Sequence, residues 1–308
     1  MFIRQLEYLE ALAREKHFRR AAESCHVSQP TLSAAISQME EELGVLLIER
    51  DARFQGLTPE GEIVIARARR ILVEIELMRA EVAEARDGLR GKLRFGVIPT
   101  ALPMAVHVTA PFCAAFPSVS LEVLSLTSDQ ILERLENFEL DAGMTYLDNE
   151  PLPNVLSKPI YAESYCLLTR RDGPLGRRAS ISWSEAADLK LCLLTADMQN
   201  RRIIDGIFRS VGATPKPSLE TNSIFNLVSH ASSGQWSSVV PRQLLQFFGI
   251  PVETRALELV EPTARRTIGY IMADRDPPSP IARNLLAMPL TPDIGALIAP
   301  PMKPDTVR

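Results

Sequence analysis

The sequence predicts two kinds of structure in one chain: a helical region with a small β wing over about the first 90 residues, then α/β structure. Apolar residues follow helical spacing before Gly88, whereas short apolar runs alternate with helical patterns after Gly91. The length of 308 residues fits about two domains. With 46% hydrophobic and 23% charged residues, the composition excludes a disordered chain, a collagen-like chain and a disulfide scaffold.

Charge and targeting signals narrow the function classes. The net charge of −4 argues against a nucleic-acid binder, although a net charge does not say where the charges lie. No stretch of 18 or more residues is uncharged and apolar enough to span a bilayer, and the N-terminus lacks the apolar core of a signal peptide. The four cysteines are far apart, which fits reduced thiols. We therefore expect a cytoplasmic protein without membrane contact.

Three helices are predicted before residue 45. The first carries one apolar stripe, and the second covers about Phe18 to Ser24. The third begins after an N-cap at Ser28 with Pro30 in its first turn, and it ends at Gly44. The stripe of the first helix consists of Phe2, Leu6, Leu9 and Ala13.

A hairpin or wing is predicted over Val45 to Leu57, and a long helix follows from Thr58-Pro59-Glu60. Apolar residues recur in that helix with strict alternating spacings of four and three, which favours a coiled coil. The alternative is a long helix packed on its own domain. The seam consists of Val64, Ala68, Ile71, Ile75, Met78, Val82, Ala85 and Leu89.

After Gly91 the pattern predicts parallel α/β sheets, with enough residues for two small lobes. The predicted strands are Leu93–Ile98, Ser120–Ser125, Asp141–Tyr146, Tyr165–Thr169, Leu191–Leu194, Ser237–Val240 and Thr267–Met272. The predicted helices include Met104–Phe116, Gln130–Phe138, Arg201–Val211 and Ile224–Ser232.

A DNA interface is predicted where a helix, a tight turn, a second helix and a wing follow one another in residues 18–61. This arrangement leaves the N-terminal face of the second helix free to enter a major groove, and that face carries short polar groups. A structural three-helix bundle is the alternative, but it needs no small polar face. The candidate DNA-binding residues on the helix are Gln29, Pro30, Thr31, Ser33, Ala34 and Ser37, and those on the flanks and wing are Arg19, Arg50 and Arg53.

The sequence resembles the LysR-type transcriptional regulators over about residues 1–290. The segments that carry the resemblance are QLEYLEALAREKHFRRAA, SQPTLSAAISQMEEELGVLLIER, LTPEG, LRFGVIPT, ELDAG and SSGQWSSVVP. The resemblance implies a winged helix-turn-helix, a dimerising linker helix, and an effector-binding domain of periplasmic-binding-protein type. It implies domains at 1–58, 59–90 and 91–290, with subdomains of 91–161 plus 267–290 and 162–266. Outside the resemblance, Pro292, Pro300, Pro301 and Pro304 predict a flexible tail at 291–308.

The function that the resemblance implies is DNA-binding transcriptional regulation, modulated by a small molecule. Members of this family usually form homodimers through the linker helix and assemble as homotetramers built from two kinds of subunit contact. They bind partly palindromic double-stranded DNA, and RNA polymerase is a candidate partner. We expect no catalytic residue, cofactor or metal, since no phosphate loop, nucleophile elbow or metal-ligand cluster occurs. The alternatives are an enzyme with an appended DNA-binding domain and a pure solute-binding protein.

The effector pocket implied by the resemblance lies between the lobes, where strand ends meet helix N-termini that suit anions. An arginine of the pair Arg201-Arg202 can clamp an anion, although a solvated pair is the alternative. His230 is expected to be a buried, satisfied histidine. The candidate effector-binding residues are Pro99, Thr100, Thr127, Ser128, Thr195, Gln199, Arg202 and Asn222.

Two details bear on the effector. Gly234-Gln235-Trp236 departs from the Gly-x-Gly of the family, so backbone packing differs there or the indole fills a gap. The segments MQNRRIIDGIF, TNSIFNLVSH and GQWSSVVP resemble a subgroup found near formate dehydrogenase genes, which favours a small carboxylate or oxoanion. One branch of the family senses peroxide through two nearby cysteines, but Cys166 and Cys192 are better interpreted as buried strand residues.

Overall fold

The computed structural model describes residues 2–50, 54–275 and 278–289, and the chain divides into two compact units, one ending at Leu89 and one starting at Arg90. The predicted tail at 291–308 and Arg53 lie outside the described residues, as does the side chain of Arg50. No helix within these ranges is both long and apolar enough to cross a membrane.

The N-terminal unit contains the predicted helices and the predicted wing, which is an antiparallel pair of strands. Phe2 precedes the first helix and is 70% exposed, so its predicted place on the inner stripe is wrong. Leu6, Leu9 and Leu12 bury that face instead. The elements are α1 (Ile3–Glu15), α2 (Phe18–Ser24), α3 (Gln29–Leu43), β1 (Ile48–Arg50), β2 (Phe54–Leu57) and α4 (Pro59–Asp87).

Two buried contacts fix the wing to the helices. The Oε1 atom of Glu40, near the end of α3, accepts hydrogen bonds from the backbone N–H groups of Leu47 and Ile48 at 2.9 and 3.3 Å. Gly61, in the first turn of α4, lies so close to the wing that an added Cβ would be 2.1 Å from the carbonyl oxygen of Leu47. These contacts require a carboxylate and a glycine at two positions where sequence spacing alone gives no reason for either.

The α4 helix buries only the start of its apolar seam within this chain. Of the seam residues, Ala68 is buried and Val64 is half-buried, whereas Ile71, Met78 and Val82 are 41%, 59% and 59% exposed. Exposed apolar residues at heptad spacing are what an unpaired coiled-coil strand presents. The coiled coil itself stays a prediction.

The C-terminal unit consists of helices packed on a curled sheet of eight strands, with a separate two-stranded sheet. The first elements are β3 (Gly91–Val97), a 3₁₀ turn (Pro99–Ala101), α5 (Leu102–Ala115), β4 (Val119–Ser125), α6 (Ser128–Glu136), β5 (Ala142–Tyr146) and β6 (Val155–Arg170). They are followed by β7 (Ser180–Ser182), α7 (Trp183–Ala187), β8 (Cys192–Leu194), α8 (Gln199–Ser210), β9 (Leu219–Thr221), α9 (Ile224–Ser232), β10 (Ser238–Pro241), α10 (Arg242–Phe248), β11 (Thr254–Val260), β12 (Arg265–Ala273) and α11 (Pro280–Ala287).

The sheet order β4-β3-β5-β12-β6-β11-β7, with β10 also on β6, divides this unit into two lobes. Lobe I holds β3, β4 and β5 with the part of β6 up to Ser164, which pairs with β12. From Tyr165 onward β6 pairs with β10 and β11 in lobe II. The strand β6 is therefore a continuous crossover between the lobes.

The prediction of parallel sheets is correct only in part. The strand β3 is parallel to β4 and β5, but β12 runs antiparallel to β5 and β6, and β10 and β11 run antiparallel to β6. The crossover strands cause this, because a chain that passes between lobes and returns must reverse direction. The short strands β7 and β9, and β11, were not predicted, because their apolar runs are interrupted by polar residues.

Replacing Glu40 tests the attachment of the wing. Glu40→Ala leaves two buried N–H groups without their carboxylate acceptor, which should cost about 2 kcal/mol. Hydrogen exchange at the amides of Leu47 and Ile48 should become faster than in the native protein. The exposed neighbour Glu41→Ala is the control and should leave both rates unchanged. Unaltered protection in Glu40→Ala would refute the role of these hydrogen bonds.

Candidate functional sites

The first candidate site is the helix-turn-helix formed by α2, a tight turn and α3. His26 has a positive φ of 56° in the turn, and the backbone N–H of Val27 donates to the carbonyl of Ala22 at 3.0 Å. Ser28 caps α3 by accepting from the N–H of Thr31 at 3.3 Å. These contacts fix the angle at which α3 leaves α2.

The inner face of α3 is fully buried through Leu32, Ile36 and Met39. The predicted DNA-binding residues of this helix lie on its other side, as the sequence suggests. Gln29, Pro30, Thr31 and Ala34 are exposed, and Ser33 and Ser37 are half-buried. The hydroxyl of Thr31 also contacts that of Ser28 at 2.8 Å, so it is already oriented.

Of the three arginines predicted to contact DNA, Arg19 is the one whose side chain lies within the described residues. It is exposed on α2 and pairs with Glu23 at 2.9 Å, both side chains being mostly solvated. An exposed pair of this kind is weak, so a phosphate can replace the carboxylate at little cost.

The second candidate site is a cleft between the lobes of the C-terminal unit. It is polar along one side, and the free space in it is about 10 Å³, on the order of one water molecule. The lining residues are Ile98, Pro99, Thr100, Thr127, Ser128, Tyr146, Leu194, Met198, Gln199 and Asn200. Five of the eight predicted effector residues, Pro99, Thr100, Thr127, Ser128 and Gln199, are thus brought together.

Two helices begin at this cleft from opposite lobes. The α6 helix starts at Ser128 after a cap by Thr127, and α8 starts at Gln199 after Met198, whose side chain makes no cap. The first N–H groups of a helix have no partner within it and carry partial positive charge. The cleft therefore joins two positive helix ends with neutral hydroxyl and amide groups.

The first turn of α8 bonds directly to lobe I. The Oε1 atom of Gln199 accepts from the hydroxyl of Thr145 at 3.0 Å, and its Nε2 donates to Asn149 at 2.8 Å. Arg202 donates to both carboxylate oxygens of Glu150, at 2.7 and 2.8 Å. We call the contacts made by Gln199, Asn200 and Arg202 to lobe I the interlobe latch.

Arg202 also reaches the hydroxyl of Ser128 at 3.3 Å and lies 3.6 Å from Asp129. Its neighbour Arg201 is 8% exposed and is held by Asp205 and Glu220. The alternative of a solvated arginine pair is therefore wrong, because both side chains are bound to carboxylates. Neither is an uncommitted cation in the cleft.

A buried hydrogen-bonded chain lies beneath the cleft. Asn200 of α8 donates through Nδ2 to the hydroxyl of Tyr146 at 2.8 Å, and that hydroxyl donates to Oε1 of Glu163 on β6. Thr100 lies 3.3 Å from the same hydroxyl. Asn200, Tyr146 and Glu163 are 4%, 0% and 0% exposed. The chain thus connects lobe II, lobe I and the crossover strand.

Burial raises the pKa of the Glu163 carboxyl to about 8, and the hydrogen bond from Tyr146 only partly offsets that rise. Burial also raises the pKa of Tyr146 well above its usual value, so this hydroxyl stays protonated. Glu163 is therefore mostly a neutral acid near pH 7.

The remaining predicted effector residues lie elsewhere. The hydroxyl of Thr195 is buried without a hydrogen-bond partner among the described residues and does not line the cleft. Asn222 lines a second, mostly apolar pocket of about 460 Å³ formed by α5, α9 and α10, which shares Pro99 with the cleft.

The structure also shows the surroundings of the two strand cysteines and of the residues near the Gly-Gln-Trp segment. Cys166 and Cys192 are fully buried, as predicted, and burial raises the pKa of Cys166 to about 12. The indole of Trp236 donates to the hydroxyl of Ser218 at 3.0 Å, and its ring meets that of His230 edge to face. His230 is half-buried rather than buried, with its Nδ1 2.7 Å from the carbonyl oxygen of Asn226.

Comparison with protein families establishes the relationship of the two units. The family described as "Bacterial regulatory helix-turn-helix protein, lysR family" matches residues 3–62, and "LysR substrate binding domain" matches residues 86–290. The chain belongs to the LysR family of transcriptional regulators. The N-terminal unit of this LysR-type regulator contains the helix-turn-helix of the family, and the C-terminal unit corresponds to its substrate-binding domain.

Curated relatives cover almost the whole chain. The DNA-binding transcriptional dual regulator OxyR of Escherichia coli K12 is 31% identical over 283 residues, which is 90% of this chain and 91% of the relative. A hydrogen peroxide-inducible genes activator of Dickeya chrysanthemi is 30% identical over 278 residues, again 90% of this chain and 91% of the relative.

Solved structures share the fold. A full-length OxyR from Pseudomonas aeruginosa, in which aspartate replaces one cysteine, has a TM-score of 0.75 at 27% identity and covers 100% of this chain and 99% of its own. CbnR in complex with its target DNA has a TM-score of 0.66 at 22% identity, covering 93% of this chain and 98% of its own. The fold class predicted from the sequence is confirmed.

Sequence reasoning missed three polar residues of the cleft and of the buried chain beneath it: Tyr146, Glu163 and Asn200. Tyr146 is the last residue of β5, and Pro99 follows the end of β3, so the positional rule about strand ends also finds Tyr146 when it is applied to β5. Glu163 is a lone acid in the otherwise uncharged run PIYAESYCLLT, which is a signal for a buried titratable group. Asn200 follows Gln199 at the start of α8, and nothing in the sequence separates its role from that of its neighbours.

Proposed function

We propose that this LysR-type regulator responds to a small anion, a carboxylate or oxoanion, that binds in the cleft between the lobes. The observation that carries the proposal is the convergence of the N-termini of α6 and α8 on one small cleft. Helix N-termini bind anions through free N–H groups and the helix dipole. The hydroxyls of Thr100 and Ser128 add donors that can turn toward the same point.

The size of the cleft limits the anion. The free space holds about one water molecule while the interlobe latch is formed, so only an anion of a few atoms fits without large opening. An effector that favours one lobe arrangement shifts the population of closed and open forms. In a homo-oligomer that shift alters the spacing or bend of the bound DNA.

Hydrogen peroxide is the second candidate effector, because several curated relatives are named hydrogen peroxide-inducible genes activators. Solved OxyR proteins include one with a cysteine replaced by aspartate, and one from Corynebacterium glutamicum with a cysteine replaced by serine and peroxide bound. In the described part of the present chain no cysteine lines the cleft, and Cys166 and Cys192 are buried in strands. A buried thiol with a raised pKa is a poor nucleophile, so thiol-based peroxide chemistry in this cleft has no support.

Anion binding can be measured by thermal unfolding of the full chain with formate, acetate, nitrate or sulfate. At least one should raise the unfolding temperature in proportion to the logarithm of its concentration. Ser128→Ala removes a cleft hydroxyl and should lower the affinity for that anion by about ten-fold, which is close to 1.4 kcal/mol of binding free energy. The matched control is Ser120→Ala, an exposed serine on β4. Peroxide changing DNA binding while no anion acts would reject the proposal.

We assign base recognition to the exposed N-terminal face of α3 and phosphate contacts to Arg19, Arg50 and Arg53. Gln29 is exposed at the first turn of α3 and has the two-pronged amide that suits an adenine edge. The nearly neutral charge of this domain makes binding depend on paired half-sites.

Gln29→Ala should relax base preference, because a lost bidentate contact costs about 1–3 kcal/mol on the preferred site only. Binding sites selected from random DNA by the native protein provide the measurement, with unselected DNA for comparison. Arg19→Ala should instead weaken binding to both kinds of DNA, and the slope of log affinity against log salt concentration should fall by about one. Equal losses on both DNAs for Gln29→Ala would contradict base recognition.

We further propose that α4 dimerises through its exposed apolar seam and that the dimers assemble as tetramers on partly palindromic DNA. Ile75→Asp should split the coiled coil, because a carboxylate on the seam would be buried without a partner. Sedimentation should then show a smaller species. Ala80→Asp, on the opposite side of the helix, is the control and should leave the size unchanged. If the sedimenting species of Ile75→Asp also keeps the native size, α4 does not dimerise through this seam.

In this function the protein binds its ligands and changes conformation in the cytoplasm without a catalytic step, and RNA polymerase is a candidate partner at the promoter. Two histidines that could have served as general bases have structural contacts: the Nδ1 atom of His230 lies 2.7 Å from the backbone carbonyl oxygen of Asn226, and the ring of His107 meets Phe247 edge to face. Neither lines the cleft. Steady turnover of a small substrate by the full chain would favour an enzyme instead.

A further inference from the structure

The buried chain from Glu163 to Asn200 has a property that simple anion binding does not need. Its cleft end is Asn200, which lines the cleft and is 4% exposed. The Nδ2 atom of Asn200 donates to Tyr146, whereas the other amide atom, the acceptor Oδ1, has no hydrogen-bond partner among the described residues. A buried acceptor without a donor costs free energy, and next to an anion it would also repel.

The direction of this hydrogen-bond chain depends on the proton of Glu163. With Glu163 ionised, the Tyr146 hydroxyl donates to it and must accept from Asn200, as the structure has it. With Glu163 protonated, the acid can donate to the Tyr146 oxygen, and Tyr146 can then donate to Oδ1 of Asn200. A half-turn of the Asn200 amide satisfies that bond and turns Nδ2 toward the cleft.

We propose that Glu163 is a positioning residue for the effector: its proton sets, through Tyr146, whether Asn200 offers the cleft an oxygen or an N–H donor. Binding of an anion selects the donor and therefore takes up one proton at Glu163 whenever that residue starts ionised. The inference rests on the proposed anionic effector. It makes Asn200 a specificity-determining residue for acceptor-bearing ligands and links effector binding to pH.

Among the titratable groups around Glu163, the carboxyl of Glu163 itself is the one that changes its protonation state with pH. Tyr146 on β5, and Tyr161 and Tyr165 on β6, are buried phenols whose pKa values burial raises well above the usual value. Arg266 is the register partner of Glu163 on β12, and it donates to the carbonyl of Arg265 at 2.9 Å. On α10, Arg242 lies 3.8 Å from Glu258. Among the described residues none of these cations forms an ion pair with Glu163.

The sign follows from the pKa of Glu163, which burial raises to about 8. Below that pH the acid is already protonated, so anion affinity should not change with pH. Above it, binding must draw a proton from solution, and affinity should fall toward ten-fold for each pH unit.

The experiment is calorimetric titration of the full chain with formate at pH 7 and pH 9.5, each in two buffers of different ionisation enthalpy. Formate stays ionised throughout, so any proton taken up belongs to the protein. We expect close to no uptake at pH 7, close to one proton at pH 9.5, and an affinity at least ten-fold lower at pH 9.5. Binding without proton uptake at both pH values would overturn the inference and leave the proposed function intact.

Three variants locate the proton. Glu163→Gln mimics the neutral acid and should keep the pH 7 affinity at pH 9.5, with no proton uptake. Tyr146→Phe breaks the chain and should also abolish the pH dependence, at a lower affinity. Tyr161→Phe removes a neighbouring unpartnered hydroxyl and should retain the native pH profile. A native profile in Glu163→Gln would overturn the inference, and failure of formate, acetate, nitrate and sulfate all to bind would overturn the proposed function with it.

Discussion

The interlobe latch is the interaction on which the effector-binding domain depends. Two lobes joined only by crossover strands would open and close freely, but the first turn of α8 bonds to β5 and to the loop after it. Gln199 supplies neutral bonds at 3.0 and 2.8 Å, and Arg202 supplies a bidentate pair with Glu150 at 2.7 and 2.8 Å. Such charge-assisted pairs are stronger and more directional than neutral bonds.

Because the latch and the cleft use the same turn of α8, closing the lobes also assembles the site. The helix end that provides Gln199 and Asn200 to the cleft is positioned by Arg202, which follows them in the same turn. A ligand in the cleft and the arginine outside it therefore favour the same closed form. The ligand can shift the lobe equilibrium only by its difference in affinity for the two forms, and a latch of moderate strength keeps that equilibrium within reach of a small molecule.

Much of this architecture is predictable from the sequence. Caps such as Ser28 and Thr58 and the spacing of apolar residues predict α1 to α4, and positional reasoning about strand ends brings Thr100, Ser128 and Gln199 to one cleft. The pairing of Arg202 with Glu150 is not predictable, because 52 residues separate them and no periodicity connects them. The mixed direction of the sheets depends on crossover strands, which a strand pattern cannot distinguish from ordinary ones.

The most direct test of the latch is the distance between the lobes, measured by pulsed electron resonance with spin labels at the exposed positions Glu136 and Arg209 and with Cys113 replaced by serine. We expect one narrow, short interlobe distance in the native protein. In Arg202→Ala we expect a broad or longer distribution that saturating formate shifts back toward the short distance. Identical narrow distributions in both proteins without ligand would contradict the claim that the latch holds the lobes closed.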